Sequence, residues 1–385
     1  MQEHNTIIGK LLSGINRKQF KRIVDKFNGD KYVKYFNCWS QFVCIFIGQI
    51  GNFKSLREIV DAINFQPQNQ YHLGIKKNIS RTTFAEANEN RDWRIYRDIF
   101  FKLIEKLPQW KRIETENLIK IMDSSPIQLK LATHSWVEKT QRIEGIKLHL
   151  IYDLSNAIPT YFEFSGARTN DVEVGKRMEI QTGTTYVFDK GYMDFNWWKS
   201  IDDKGAYFVT RLKKNNAYDV LSDIQIHNDI VSSQVIQLRN KRFKDSRYNY
   251  YSDKPLRKVI VQRDGQKPLV LVTNDFNRSS EEIAELYKQR WQIELFFKWI
   301  KQNLKIKKFL GKSENAVKTQ ICIALISFVL LHLMNELKEI CSEISTKNLL
   351  KIIGNNMFYT LKPRNAGRRH YKNPNQLQIE WVLTN

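Results

Sequence analysis

The sequence has little cysteine and little histidine. Its four cysteines, Cys38, Cys44, Cys322 and Cys341, include no C-x-x-C pair and have no matching histidine cluster. This excludes a disulfide framework and a structural zinc site, and free thiols in a reducing cytoplasm are expected. Of the seven histidines, His149 in the strand-like segment "IKLHLIYD" is the one near a candidate site, and a structural role is favoured for it.

Long apolar runs are also scarce. The most apolar segment, "ICIALISFVLLHLMN" (Ile321 to Asn335), is shorter than the ~20 residues that a bilayer requires and contains Ser327 and His332. A buried helix is therefore favoured over a membrane span. The sequence shows no secretory leader, lipidation motif, internal repeat or low-complexity linker, so no membrane partner is expected.

Acidic residues are outnumbered by basic ones. The chain of 385 residues has 40 Asp and Glu against 62 Lys and Arg, a net charge of +22, and the cations alternate with Trp, Tyr and Phe along much of its length. This pattern favours nucleic acid as the partner. An apolar fraction of 42% is typical of a globular protein, and the length allows two or three domains.

Hydrophobic periodicity divides the chain into helical and strand-rich parts. Helical spacing runs from Asn5 to about Ile63 and returns after a polar loop, where Ser80 is a candidate N-cap. The helix that follows fits a DNA-reading helix, with Arg81 as a candidate contact, and it also fits an ordinary capped helix. Strand spacing begins after Pro108 with "NLIKIMD", "SPIQLKL", "GIKLHLIYD" and "IPTYFEFSGA".

Helices and strands then alternate through "DVEVGKRME", "TTYVFDKGY", "MDFNWWKSIDDKG" and "AYFVTRL", which predicts an α/β fold with a mixed sheet flanked by helices. The segments "DIQIH", "SQVIQLRN", "RYNYYSD", "RKVIVQRD" and "PLVLVTND" predict a β-rich insertion. The sequence Ser279 to Glu282 predicts the cap of a helix. The predicted divisions are a helical DNA-binding region 1–108, the first part of the core 109–212, the insertion 213–278, a helix completing the core 279–312, and a helical C-terminal region 313–385.

The segment "LYKQRWQIELFFKWIKQNLKIKKF" (Leu286 to Phe309) predicts one helix. A helical wheel places Tyr287, Arg290, Glu294 and Lys301 within an arc of about 60°, beside an apolar arc suited to a core. Two interpretations of Glu294 remain open. It is a surface acid pairing with Arg290 or Lys298 at helical spacing, or it is an acid held rigidly toward a cation.

Two further acids, Asp123 and Asp189, each follow an apolar strand. Strand ends of this kind meet at the carboxyl edge of a sheet, although each residue alone also fits the cap of a turn. If Glu294 joins them, each pair of carboxylates at ~4 Å costs about 4 kcal/mol at an effective dielectric of 20. A cation between them is then required, and Mg²⁺ or Mn²⁺ suits an all-oxygen ligand set. Two such ions ~4 Å apart are a standard arrangement for phosphodiester chemistry.

The spacing of Tyr287, Arg290, Glu294 and Lys301 resembles the signature of DDE transposases of the insertion sequence four group. "FDKGY" around Asp189 resembles the second-Asp motif of that family. The segment "DKYVKYFNCWSQFVCIFIGQ", followed by "SLREI", is similar to the helical domain that precedes the core in bacterial members. The resemblance spans nearly the whole chain and implies a ribonuclease H-like core with a β-rich insertion before the Glu helix.

The resemblance also implies roles for the matched residues. Asp123, Asp189 and Glu294 would hold two Mg²⁺ or Mn²⁺ ions, and Tyr287, Arg290 and Lys301 would bind phosphates at the transposon end. Family members typically cut both strands at the element's ends, often through a DNA hairpin, and join the 3′ hydroxyls to target DNA. The resemblance implies that the protein binds double-stranded DNA and acts as a homodimer. It also implies a location at the nucleoid of a bacterium. Further candidate DNA contacts are Lys190, Arg211, Lys298 and Arg81.

Three hypotheses follow from these features. The first is a transposase that binds, cuts and joins DNA; the second is a structure-specific nuclease of the same fold that only cuts; the third is a DNA-binding relic. Some relatives hold a flipped base with a tryptophan in the insertion, but this chain has none between Trp198 and Trp291. One of Tyr248, Tyr250 and Tyr251 could stack on a base instead, or pack as an ordinary strand residue.

Overall fold

The computed structural model of the chain describes residues 6–106, 118–224, 230–239, 248–263, 265–304, 306, 308–333 and 346–359. These residues belong to two compact units. The helical unit takes its residues from Met1–Leu107, Lys130–Trp136 and Lys298–Asn385, and the sheet unit from Pro108–Leu129 and Val137–Phe297. Cys341, Asn335 and the basic segment 361–373 lie outside the described residues.

The helical unit is built from helices, as the periodicity predicted. Residues 67–73, predicted as a polar loop, also form a helix, because Pro67 starts it and Gly74 ends it in the left-handed conformation at φ 77°. The helices are α1 (Ile7–Ser13), α2 (Arg17–Lys26), α3 (Cys38–Ile50), α4 (Leu56–Asn64), α5 (Pro67–Leu73), α6 (Arg81–Asn90), α7 (Arg94–Glu105), α12 (Glu314–Leu333) and α13 (Thr346–Asn356).

The core of this unit forms around α3 and α12. Every residue of α3 is buried, and α12 packs against α3, α6 and α7. Among the described residues, the segment Glu314–His332 of α12 is the one helix long and apolar enough to cross a membrane, and 78% of its apolar window is buried inside the protein. It is a core helix, as predicted. Cys38, Cys44 and Cys322 are free and buried here, and burial raises the pKa of each thiol.

The sheet unit contains one mixed sheet whose strands follow in the order β2-β3-β1-β5-β6-β10-β9-β8-β7, with β4 also paired to β3. Strands β1, β5 and β6 are parallel, and the remaining pairings are antiparallel. The strands are β1 (Ile119–Gln128), β2 (Glu138–Lys139), β3 (Glu144–Asp153), β4 (Ile158–Gly166), β5 (Thr185–Phe188), β6 (Tyr207–Arg211), β7 (Tyr218–Ile224), β8 (Ile230–Leu238), β9 (Pro255–Arg263) and β10 (Gln266–Thr273).

The β-rich segment joins the core sheet directly, because β10 pairs with β6 and then leads to β9, β8 and β7. "RYNYYSD" was predicted to be a strand, but its described residues form no strand. The side chain of Asn249 accepts a hydrogen bond from the backbone of Tyr251 (3.0 Å), and its carbonyl accepts from the hydroxyl of Ser252 (2.8 Å), which forms a turn. "DIQIH" is a strand as far as Ile224, and its residues 225–227 lie outside the described part of the chain.

"NLIKIMD" and "SPIQLKL" form one strand, not two. Residues Lys120 to Gln128 of β1 pair continuously with β3, so the backbone stays extended through Asp123 and Pro126. The cap of a turn is therefore the wrong interpretation of Asp123.

Helices flank the sheet. They are α8 (Asp171–Gly175), shorter than predicted, α9 (Phe195–Asp203), α10 (Ser280–Gln289) and α11 (Trp291–Asn303). An aromatic cluster fills the core between α9 and the sheet: Trp198 lies 5.1 Å from Phe208, and Trp197 lies 5.1 Å from Phe188, centroid to centroid. This packing fixes the ends of β5 and β6, next to which the candidate acids lie.

The segment predicted as one helix forms two. Ser279 and Glu282 form a reciprocal capping box that starts α10, as predicted, and the chain tightens at Arg290 before α11 continues to Asn303. The predicted apolar arc is buried: Leu286, Ile293, Phe296, Phe297, Ile300 and Leu304.

Candidate active site

Two acids occupy neighbouring positions on adjacent parallel strands. Met122 of β1 and Phe188 of β5 form the last parallel pair, and Asp123 and Asp189 each follow it directly. Beyond this pair β5 ends, whereas β1 continues beside β3. Both carboxylates therefore lie where the parallel part of the sheet ends, which is the edge expected from the sequence.

The backbone after β5 holds the Asp189 carboxylate. Oδ1 of Asp189 accepts a hydrogen bond from the backbone N–H of Gly191 at 2.7 Å and caps a short 3₁₀ helix, Lys190–Tyr192. The turn interpretation of Asp189 is thus also correct. A Cβ at position 191 would lie 2.8 Å from Asp189 Oδ1, so glycine at this position leaves room for the carboxylate.

The third acid is joined to the first through an arginine. The guanidinium of Arg290, at the junction of α10 and α11, donates to Glu294 Oε1 from Nη2 (2.6 Å) and to Asp123 Oδ2 from Nη1 (3.3 Å). The pairing of Glu294 with Arg290 predicted from their spacing is present, and the same guanidinium brings Asp123 into the group. Its side chain is 17% exposed, so this positive charge is largely shielded from water.

The surroundings shift the pKa of both partners. Burial raises the pKa of Asp123 to about 7; the N–H of Ser124 and the charge of Arg290 oppose this rise, and Asp189 and Glu294 add to it. Burial alone would lower the pKa of Arg290, but the hydrogen bond to Glu294 and the neighbouring acids raise it above its ordinary value. A nearby cation therefore favours the ionised form of Asp123, which burial disfavours.

Tyr287 completes the cluster. Its ring centroid lies 5.8 Å from the guanidinium carbon of Arg290. Burial raises the pKa of the phenol, and the positive charges of Arg290 and Arg211 lower it in part, which places Arg211 of β6 beside the cluster. A phenol and two guanidinium groups thus lie next to the three acids, and together they can bind phosphate oxygens.

Comparison with known proteins identifies the family of the chain. A family model described as "Transposase DDE domain" matches residues 114–330, which is more than half of the chain and includes Asp123, Asp189 and Glu294. The chain belongs to the DDE transposase family. Residues 3–76 match a second model, described as "Domain of unknown function (DUF4372)".

Similar proteins carry transposase names. A Sinorhizobium fredii protein named as the transposase y4zB is 37% identical to this chain, over 66% of this chain and 72% of the length of the relative. A Synechocystis protein named as a transposase for insertion sequence element IS4SA is 25% identical over 78% of this chain and 82% of its own. A cryo-EM structure of the piggyBac transposase synaptic complex with hairpin DNA matches 97% of this chain and 83% of its own, with 13% identity and a TM-score of 0.44. The chain is a transposase of the insertion sequence type, with the predicted mixed α/β sheet flanked by helices and the predicted N-terminal helical region.

The acids of this transposase suit a hard divalent cation, because carboxylate oxygens are the ligands that Mg²⁺ and Mn²⁺ prefer. Within the described residues, no three His, Cys, Asp or Glu side chains are close enough together to hold one ion. The guanidinium of Arg290 instead supplies the positive charge between Asp123 and Glu294. The carboxylates of Asp123 and Glu294 already bind a cationic group, so their chemistry is compatible with a metal cation.

The other predicted contacts are distributed over both units. Lys190 is exposed and adjoins Asp189. Lys298 is exposed and Lys301 half-buried on the last turns of α11, whose residues after Phe297 group with the helical unit. Arg81 is exposed on the first turn of α6, and Ser80 occupies the N-cap position without a side-chain cap bond. Their DNA contacts stay predictions.

Sequence analysis did not predict one buried polar group near the acids. The hydroxyl of Tyr192, directly after the Lys-Gly pair, is fully buried and has no hydrogen-bond partner among the described residues. Burial raises its pKa well above the ordinary value, and Asp171, Asp123 and Asp189 add to the rise, so the phenol lies beside the acids. The tyrosine of "FDKGY" is the one signal that could have identified it.

His149 lies on β3 and is structural, as predicted. Its Nε2 is 2.7 Å from the hydroxyl of Ser165, and the side chain is fully buried. Burial lowers its pKa to about 4.

Proposed function

We propose that this transposase binds the terminal inverted repeats of its own insertion sequence, cuts the DNA with divalent metal ions, and joins the ends to a target. The observation that carries the proposal is that one guanidinium, Arg290, joins Asp123 to Glu294, while Asp189 follows the strand next to that of Asp123. Support comes from the family, which is in general divalent-metal dependent.

Asp123, Asp189 and Glu294 are the residues that would hold the metal, Mg²⁺ or Mn²⁺, as two ions. When bound, such ions activate the attacking oxygen and stabilise the leaving oxygen of a phosphodiester. The protein contributes a rigid frame: Asp189 is held by the N–H of Gly191, and Asp123 is fixed in a strand paired on both sides. Preorganised ligands of this kind lower the cost of reaching the reactive geometry.

Arg290 has two roles in this proposal. Without metal its single positive charge is shared between Asp123 and Glu294. If a divalent cation were bound to these carboxylates, it would supply that positive charge, and the guanidinium of Arg290 would have donors for a DNA phosphate. Tyr287 and Lys301 are proposed to bind phosphates of the transposon end, and Lys190, Arg211, Lys298 and Arg81 are proposed as further DNA contacts. The net charge of +22 supports a steep salt dependence of this binding.

Two DNA ends must meet for concerted joining, so we propose a homodimer in the paired-end complex, acting at the bacterial nucleoid. The helical region 1–108 is proposed to bind DNA, and 213–278 to be the β-rich insertion before the Glu helix. Tyr248 and Tyr250 are exposed, with ring centroids 4.9 Å apart, whereas Tyr251 is fully buried. The first two are therefore the candidates for stacking on a base.

The test uses purified protein, Mg²⁺ or Mn²⁺, a labelled fragment carrying the DNA that flanks its gene, and a target plasmid. Glu294→Gln should bind DNA but lose at least ~10³ in cleavage rate, about 4 kcal/mol of barrier. Glu285→Gln is the matched control, because Glu285 is exposed on α10 and pairs with Lys288 away from the acids. Discrete cleavage and joined plasmid in the wild type and control, but not in Glu294→Gln, are expected.

Three results would contradict the proposal. Normal cleavage by Glu294→Gln would remove Glu294 from the metal site. Cleavage without joined plasmid would identify a structure-specific nuclease. Tight binding without any metal-dependent product would identify a DNA-binding relic. Mn²⁺ binding, followed by electron paramagnetic resonance of free Mn²⁺, tests the ligand assignment separately from activity and should weaken in Glu294→Gln.

A further inference from the structure

A second surface with the chemistry of a DNA site lies on the helical unit. A cleft of about 590 Å³ opens between the segment that follows α2 and the start of α6. We call it the basic cleft, because its lining includes Lys31, Lys34 and Lys77. None of these three lysines forms an ion pair with a described carboxylate. The cleft therefore presents three lysines that no ion pair within the described part of the chain holds, and its basic residues outnumber its acidic ones.

Aromatic rings stand among these lysines. Tyr35 is 53% exposed, and the ammonium of Lys77 lies 4.0 Å from its ring centroid. Tyr32 follows Lys31 in the chain but lies outside the lining; it is 91% exposed and has φ 62°, a left-handed conformation that is unfavourable for a bulky residue. The fold thus keeps an exposed aromatic ring in a strained backbone conformation, a combination that occurs at binding loops.

The floor of the basic cleft is rigid. Arg91 is buried, donates from Nη1 to Oε1 of Gln41 (3.1 Å), and donates from Nη2 to the carbonyl of Phe36. Asp30 Oδ1 accepts from the N–H of Cys38 at 2.6 Å. These bonds anchor both ends of the loop that carries Tyr32 and its neighbours. A loop fixed before binding loses little entropy when a ligand arrives.

The remaining lining residues include groups that can form hydrogen bonds with a phosphate backbone. Ser80 and Thr83 supply hydroxyls on the α6 side, and the hydroxyl of Ser80 is not used as a helix cap. Of the two acids, Glu86 and Asp92, the second is bound by Arg94. Point-charge cations, hydroxyl donors and aromatic faces together favour nucleic acid over a protein partner.

We propose that the basic cleft seats the sugar–phosphate backbone of double-stranded DNA, with Lys34 and Lys77 on phosphates and Tyr35 against a sugar. The proposal rests on the proposed function for its partner. It adds a surface, within and just beyond residues 3–76, that holds DNA independently of the metal site.

Binding is measured by fluorescence anisotropy, without metal, in the Glu294→Gln background, on a duplex from the flanking DNA and on an unrelated duplex of equal length. Lys34→Gln with Lys77→Gln should weaken binding at least ~10-fold at 0.1 M salt. It should also reduce the slope of log K against log salt by about 1.8, at 0.9 per lost phosphate contact. Tyr35→Ala should weaken binding by about tenfold.

The matched control for charge is Lys18→Gln with Arg22→Gln, which removes the same two charges from the exposed face of α2 outside the lining. Tyr71→Ala, at a tyrosine 82% exposed elsewhere in the unit, is the control for the ring. Equal losses in the charge pair and its control would show a diffuse field and overturn the proposal, as would unchanged DNA affinity in the cleft variants. Because no cleavage is measured, these results stand apart from the test of Glu294.

Discussion

His149 is expected to make folding pH-dependent. Its imidazole is fully buried, with Nε2 2.7 Å from the hydroxyl of Ser165. Charged groups face it from the neighbouring elements: Asp171 and Glu163 attract a proton, while Lys147 and Arg177 repel it. These four form two ion pairs with each other, so burial dominates and lowers the pKa of His149 to about 4.

The sign follows from the two states. Above pH 6.5 His149 is neutral in both states, so its contribution to the free energy of unfolding is fully present. As pH falls from 6.5 toward 4, the unfolded chain takes up a proton that the folded protein does not, and stability is lost. The difference between 6.5 and about 4 corresponds to about 3 kcal/mol at full extent and about 2 kcal/mol at pH 5.

The assay is urea unfolding of the wild type and His149→Gln at pH 7.5 and pH 5. The Gln amide can keep the contact with Ser165 but takes up no proton. The wild type should lose about 2 kcal/mol more than the variant between the two pH values, because changes at carboxylates are common to both proteins. If both proteins lost the same free energy of unfolding between the two pH values, the conclusion that His149 is buried as a neutral imidazole would be refuted.

Two further predictions concern the candidate active site. Arg290→Gln should weaken binding to the transposon end roughly 10- to 100-fold in the presence of Mn²⁺, since charge-assisted hydrogen bonds are worth about 1.5–3 kcal/mol; unchanged affinity in a filter-binding assay would count against the phosphate role. Gly191→Ala should lower the cleavage rate at least ~10-fold while the melting temperature stays nearly constant, because the added Cβ lies 2.8 Å from Asp189 Oδ1 and displaces only that side chain. Cleavage at the wild-type rate would show that the position of this carboxylate is not critical.

Local sequence patterns predicted most of the elements but not where some of them end. β5 was predicted because four buried residues precede Asp189, and the capping box at Ser279 was predicted from its residue types. β1 was divided wrongly, because Asp123 and Pro126 are typical turn residues and the long pairing with β3 overrides that preference.

The candidate site divides in the same way. The ion pair between Arg290 and Glu294 follows from their spacing of four residues, so the sequence predicts it. The contact of Arg290 with Asp123 joins residues 167 positions apart and depends on how α10 packs against the sheet. The unpartnered hydroxyl of Tyr192 likewise depends on tertiary burial, which no short pattern specifies.

The two pairings of β1 have a genetic consequence. Loss of one codon between Ile119 and Asp123 shifts every later side chain of that stretch to the opposite face of the sheet, because strand residues alternate. The Asp123 carboxylate would then point into the aromatic core instead of toward Arg290. A copy of the element can thus be silenced by an in-frame deletion and still encode all three acids, so an intact set of acids in a gene does not by itself identify a mobile copy.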